Sequence, residues 1–167
     1  MNDEQQAFRE QRRGRFVIST DPSRLDVDFI HDFLAHKSYW AANIPRKVVE
    51  RSLQNSLCFG LYEGLHQIGL ARVITDQATY AWLCDVFVDE RYRRQGLGVW
   101  LIENVLAHSA LQGLRRIALG TEDAHKLYHR FGFAAPEKPQ NLMEKRWPNV
   151  YQKTMQTRTP PPTGERH

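Results

Sequence analysis

A layered α/β domain built on a largely antiparallel sheet is what the sequence predicts, on three observations. Helical and strand periodicities are interleaved along the chain instead of being segregated. Three strand-like runs follow one another with only short turns between them, as antiparallel neighbours do. A basic, glycine-rich turn then leads from the last of these runs straight into an amphipathic helix.

The elements follow in order. Phe16-Val17-Ile18 is a short strand. Asp21-Pro22-Ser23 is a capping sequence, and Leu25, Phe29, Ile30, Phe33 and Leu34 then recur at helical spacing. A loop through Ser38-Tyr39-Trp40 and Asn43-Ile44-Pro45 follows, with Pro45 placed to open a second helix, Arg46 to about Gln54. Ser56 to Tyr62, Gln67 to Thr75 and Thr79 to Val88 are the three strand runs, joined at Glu63-Gly64 and near Asp76-Gln77. The turn Arg91 to Gly98 enters a helix carrying Leu101, Ile102, Val105 and Leu106, which Gly113 ends. Arg116 to Leu119 is a strand; Ala124, Leu127, Tyr128 and Phe131 form a helical stripe that Gly132 stops. A strand from Phe133 and a weaker one from Leu142 to Arg146 complete the expected order, β-α-α-β-β-β-α-β-α-β-β. Residues 1–14 and 151–167, the latter with Pro160-Pro161-Pro162, lack apolar periodicity and read as flexible ends around one domain, 15–150.

Composition narrows the class. A chain of 167 residues with 41% hydrophobic and 25% charged residues can bury a core. It has no apolar run of membrane-spanning length. The polar, charged start is no secretory signal, and Cys58 and Cys84 sit inside apolar stretches as thiols suited to a reducing compartment, so a cytoplasmic protein is expected. The formal charge of +4 is concentrated at the two ends, leaving the body close to neutral. That is a poor footing for nucleic-acid binding.

The chemistry lies in Val86-Phe87-Val88 and the Arg93-Arg94-Gln95-Gly96-Leu97-Gly98 that follows. A helix start leaves backbone N–H groups unpaired and adds partial positive charge. Glycines let a bulky anion approach the backbone, and the arginines add formal charge. The arrangement suits a pyrophosphate. It is no Walker A loop, since no Lys follows Gly98, and no dinucleotide fingerprint, since position 101 is Leu.

Arg93-x-x-Gly96-x-Gly98 resembles the acyl-CoA pyrophosphate loop of the GNAT superfamily. Leu83 to Tyr92 is similar to that family's fourth strand and exit turn. Ala124-x-x-Leu127-Tyr128-x-x-x-Gly132-Phe133 resembles its second signature. The likeness covers about residues 16 to 150, with Thr121 standing where many relatives have Asn. It implies a mixed, largely antiparallel sheet splayed between its fourth and fifth strands, here Thr79–Val88 and Arg116–Leu119. It also implies direct transfer of the acetyl group of acetyl-CoA, as cosubstrate, to a primary amine, with no covalent enzyme intermediate.

By the same likeness, backbone at Val86, Phe87 and Val88 would pair with the pantetheine arm. The N–H groups of Arg93, Arg94, Gln95, Gly96, Leu97, Gly98 and Val99 would hold the pyrophosphate, and Thr121 would touch the cofactor arm. Tyr128 would be the general acid for the departing thiolate, against a reading as a core aromatic. Asp85, a carboxylate in an apolar strand, either binds or deprotonates the amine or is a structural Asp paired with backbone or an Arg. Tyr39 and Trp40 form an acceptor-site wall or a hydrophobic hinge. His125 and His129 are i, i+4 without further ligands, so no metal site is expected, and Arg115-Arg116 reads as solvated charge. A small-molecule amine is the expected partner, with no nucleic acid or membrane and with room for a homodimer. The competing class is a non-catalytic acyl-CoA sensor or interaction module on the same fold.

Overall fold

A computed structural model of the protein describes residues 9–152. Its centre is a sheet in the order β1-β2-β3-β4-β5-β6. The strands are β1 (Glu10–Arg13), β2 (Phe16–Ser19), β3 (Leu57–Glu63), β4 (His66–Thr75), β5 (Tyr80–Val88) and β6 (Arg116–Leu119). All neighbours are antiparallel except β5 and β6, which run parallel. The helices are α1 (Val27–His36), α2 (Arg46–Gln54), α3 (Leu97–Leu106) and the short α4 (His125–His129).

The sheet is covered on both faces, as the alternation of strand residues requires. Phe59 and Leu61 of β3, with Val73 of β4, pack with Leu101, Ile102 and Val105 of α3 and with Tyr128 of α4. Cys58, Leu70 and Phe87 pack on the other face with Ile30 and Leu34 of α1 and Val49 and Leu53 of α2. Phe87 stacks on Phe33 with ring centroids 3.7 Å apart.

Three expectations are corrected. Residues 10–13, read as part of a flexible end, form the edge strand β1, in register from Glu10↔Ser19 to Arg13↔Phe16. The strand carries charged and polar side chains, all exposed, so it has no apolar alternation to detect; charge is how sheet edges resist mispairing. Asp21 caps only the 3-10 turn Pro22–Arg24, and α1 is capped by Asp26, whose carboxylate accepts from Phe29 N–H at 3.0 Å. The expected strands from Phe133 and from Leu142 to Arg146 do not form. Pro136 and Pro139 remove backbone donors there, and Pro139–Asn141 closes into a 3-10 turn.

Two features of β5 place the site. Its pairing with β6 ends at Leu83↔Leu119, while β5 itself runs on to Val88. The strands therefore part halfway along β5, and among the described residues no strand pairs with Cys84 to Val88 on the β6 side. At the same point the β4 register jumps from Leu70↔Phe87 to Arg72↔Cys84, and Asp85 takes the left-handed backbone, φ +49°. This is a bulge, the device that bends a strand and re-aims its side chains. Opposite it, a Cβ on Gly69 would lie 2.7 Å from the Phe87 carbonyl oxygen, so glycine is required there by close approach.

Candidate active site

The turn beyond β5 has the form the anion-site reading needs. Asp89 accepts from Arg91 N–H at 3.0 Å and starts the 3-10 turn Glu90–Tyr92. Arg94 and Gly96 then take left-handed backbone, φ +64° and +71°, and Gly96 is the N-cap of α3. The first helical bond runs from Trp100 N–H to Gly96 C=O at 3.0 Å. No acceptor among the described residues takes the N–H groups of residues 94–99. A Cβ on Gly98 would meet only open space. This is a concave run of free donors at a helix start, the arrangement that holds a phosphate oxygen.

The charges around this turn come from three places. Arg94 is exposed. Arg93 donates to Val88 C=O at 3.2 Å and pairs loosely with Glu90 at 3.7 Å. Arg13, from the unforeseen strand β1, donates to Gln95 C=O at 3.4 Å and lies over the Trp100 ring at 4.7 Å. Its position follows from the sheet, which brings the end of β1 to the same corner as the start of α3.

Asp85 sits buried at the bulge with both oxygens engaged. One accepts from Arg72 Nε at 2.7 Å, the other from Trp40 Nε1 at 2.8 Å. The ion pair is well sequestered, with side chains 13% and 8% exposed. Arg72 reaches on to Ser56 Oγ at 3.0 Å. Burial disfavours the Arg72 charge, but the Asp85 carboxylate outweighs it and raises the guanidinium pKa above its ordinary value. The pairing to an Arg that was weighed for Asp85 is therefore what the structure displays. Arg72 was missed, although it is the lone charge in β4 as Asp85 is in β5, and two such charges on adjacent strands are natural partners.

Tyr39 and Trp40 belong to the α1–α2 connection, which ties together the two sides of the splay. Trp40 bonds Asp85 on β5, while Tyr39 Oη accepts from Glu122 N–H at 3.0 Å just beyond β6. The two rings meet edge to face, centroids 5.0 Å apart. Thr121 Oγ1 accepts from Ala124 N–H at 3.0 Å and so fixes the entry to α4.

Tyr128 on α4 is buried against the α3-side core and meets Phe133 edge to face at 5.8 Å. Its hydroxyl makes no hydrogen bond to protein among the described residues, and it lines a cavity of about 880 Å³. Burial, helped by Tyr39 and Asp123, pushes its pKa up to about 12. The cavity lies between the outer ends of β5 and β6, α4, and the chain at 133–142. Thr121, His125 and His129 also line it; Asp85, Tyr39, Trp40 and the glycine turn do not. Tyr80, Trp82, Arg116 and Phe133 are wall residues that the sequence reading did not assign to a site. Burial raises the Cys58 and Cys84 thiols to about 12, so neither is a thiolate at neutral pH. No group of three or more metal-ligating side chains occurs among the described residues, and no helix there is long and apolar enough to cross a membrane.

Comparison with known proteins bears on this geometry. The model of the acetyltransferase (GNAT) family matches residues 27–133. A candidate acetyltransferase of Gibberella zeae is 34% identical over 138 aligned positions, in a match that covers 70% of this chain and 77% of that protein. Among solved structures, a GNAT-family protein of Xanthomonas campestris pv. campestris is 47% identical, with a TM-score of 0.80 over 81% of this chain and 96% of that one. A GNAT acetyltransferase of Elizabethkingia anophelis, solved with acetyl-CoA bound, shares the fold at 16% identity and a TM-score of 0.56, covering 82% of this chain and 91% of that one.

Proposed function

Because the chain belongs to the GNAT family of acetyltransferases, we propose that it moves an acetyl group from acetyl-CoA directly to a primary amine of a small molecule. One observation carries the reading. The run of free N–H groups at residues 94–99 stands at the end of the same strand whose edge, Cys84 to Val88, lies open where β5 and β6 part. An extended acyl-CoA arm needs both: donors for its pyrophosphate and an unpaired strand edge for its amide groups. Tyr128 and the cavity stand on the far side of that parting.

The residues have distinct tasks. The turn at 94–99, with Arg94 and Arg13 beside it, holds the negative charge of the pyrophosphate. The bare edge of β5 offers backbone partners to the pantetheine amides. The acetyl donor supplies an activated thioester. The neutral amine nitrogen attacks its carbonyl carbon, the C–S bond breaks with its electrons on sulfur, and the nitrogen gives up one proton to solvent. Tyr128 hydrogen-bonds the sulfur as the bond stretches; the sulfur ends as a thiol and the phenol recovers its proton from solvent. Burial raises the Tyr128 pKa to about 12, so the phenol is protonated through the neutral and mildly alkaline range. Asp85 is a positioning residue: it holds Trp40, and through it the α1–α2 connection, against the bulge.

The test is acetyl-CoA-dependent thiol release with a panel of primary amines, the acetylated product being identified by mass. Tyr128→Phe should lower kcat about 10²-fold, at the low end for general acid catalysis, with acetyl-CoA affinity unchanged. Saturable acetyl-CoA binding without turnover on any amine would favour a binding module instead.

A further inference from the structure

The cavity beside Tyr128 has a wall composition that discriminates among amines. Among the described residues its lining carries a single carboxylate, Glu137, against two full cations, Arg116 and Lys138. Neither cation forms an ion pair among the described residues. A polyamine or an amino sugar with several ammonium groups would find one partner and two repulsions there, and like-charge juxtaposition is a strong negative selector.

The apolar part of the wall is organised as a plate. Tyr80 and Trp82 alternate with buried Ala81 and Leu83 along β5 and remain 37% and 38% exposed. Large aromatics left partly open on a sheet, facing a cavity, are the usual surface for a flat ligand ring. The six-membered ring of Trp82 lies 3.7 Å from where a Gly120 Cβ would stand, so the β6 end of the plate adjoins the chain at Gly120. Phe133 and Leu142 also line the cavity.

Register orders these features along one line. Leu83↔Leu119 marks where the strands part, Trp82↔Ala118 comes next, and Tyr80↔Arg116 lies at the outer end. Three residues of strand separate the parting from Arg116, about 10 Å at 3.3 Å per residue. A ligand with its nitrogen at the parting would lay its body on Trp82 and bring its far end to Arg116.

We infer that the acceptor is a primary amine with an aromatic body and an anionic group roughly 10 Å from the nitrogen, held by the plate of Tyr80 and Trp82 and by Arg116. This rests on the acetyl-transfer reading above and names the acceptor class for that site. The reaction is unchanged: the amine nitrogen takes the acetyl group, the thiol is released, and one amine proton passes to solvent.

The experiment compares three probes at saturating acetyl-CoA: 3-[4-(aminomethyl)phenyl]propanoate, benzylamine and spermidine. The ring amine with the carboxylate should give the highest kcat/KM, at least tenfold above benzylamine, with spermidine lowest. Arg116→Gln should lower kcat/KM for the carboxylate probe about tenfold, through KM, and lower that for benzylamine much less. Trp82→Ala should weaken both ring amines about tenfold. Preference for spermidine, or Arg116→Gln acting equally on the carboxylate probe and benzylamine, would overturn the acceptor class while leaving acetyl transfer intact. Acetyl-CoA bound but no probe acetylated, and none in the wider amine panel, would remove the transferase reading and this inference with it.

Discussion

Asp85 and Tyr128 are both polar groups in apolar surroundings, yet the structure treats them differently. Asp85 has its charge matched by Arg72 and its second oxygen taken by Trp40. Removing one member of such a sequestered pair leaves the other charge unpaired, at a cost of about 3–5 kcal/mol. Asp85→Asn keeps a side chain that tolerates the left-handed backbone of the bulge, so it isolates the charge. Urea denaturation should show that loss, and the double variant with Arg72→Met should recover a substantial part of it. A positioning role further predicts that kcat falls about tenfold or less while the pH profile keeps its shape. A loss beyond 10²-fold with the acidic limb abolished would make Asp85 the base. Tyr128, by contrast, has no partner for its hydroxyl among the described residues, which fits a group whose partner arrives with the substrate. Each lone charge was visible in the sequence as an anomaly of its strand, Asp85 in β5 and Arg72 in β4, but their contact was not. The distance between Arg72 and Asp85 depends on a bulge that no local pattern in β5 announces.

The bulged strand and its neighbour explain why the motif-bearing elements were legible and the flanking ones were not. The runs that became β3, β4, β5 and α3 each bury one face, so apolar period alone marks them. β1 buries nothing, and its pairing with β2 is set by the Gly14-Arg15 turn and by backbone bonds such as Thr20 N–H to Arg9 C=O at 3.1 Å. The chain after Phe133 carries scattered apolar residues without the donors that a strand between prolines would need. Gly69 is a separate case: its glycine reads as a weak point in a strand, and only the approach of the Phe87 carbonyl gives the reason. Gly69→Ala should therefore push β5 away from β4 at the segment offered to pantetheine. The expected result is a loss of about 1–3 kcal/mol in stability, as for other overpacked sites, together with acetyl-CoA affinity weakened more than tenfold. Native affinity in a folded Gly69→Ala protein would show that the β5 edge is not where the arm pairs.

The packed molecule as a whole stores titratable groups that favour the neutral form. Cys58 and Cys84 rise from 9.0 to about 12, and Tyr128 from 10.0 to about 12, all chiefly by burial. Raised folded-state values mean that the folded chain holds these protons more tightly than the unfolded chain. Their contribution to stability is complete below about pH 9 and is lost as pH climbs from 9 toward 12. Denaturation midpoints should hence fall steadily above pH 9, and more shallowly in a Cys58→Ala protein; equal slopes would remove the buried thiol as a cause. The same burial separates the two halves of the site: a charged, open turn at one end of β5, and a half-enclosed aromatic cavity at the other. The sequence made the first half plain because its glycines and arginines are consecutive. The second is assembled from β5, β6, α4 and an irregular segment, and only folding brings those together. Acetyl-CoA binding depends most directly on the turn at residues 94–99. Calorimetric titration with acetyl-CoA should give saturable one-to-one binding in the native protein. Gly96→Glu, which puts a side chain and a negative charge on the left-handed residue at the helix start, should abolish it while the protein stays folded. Absence of binding in the native protein, or native-like binding in the folded variant, would contradict the assignment.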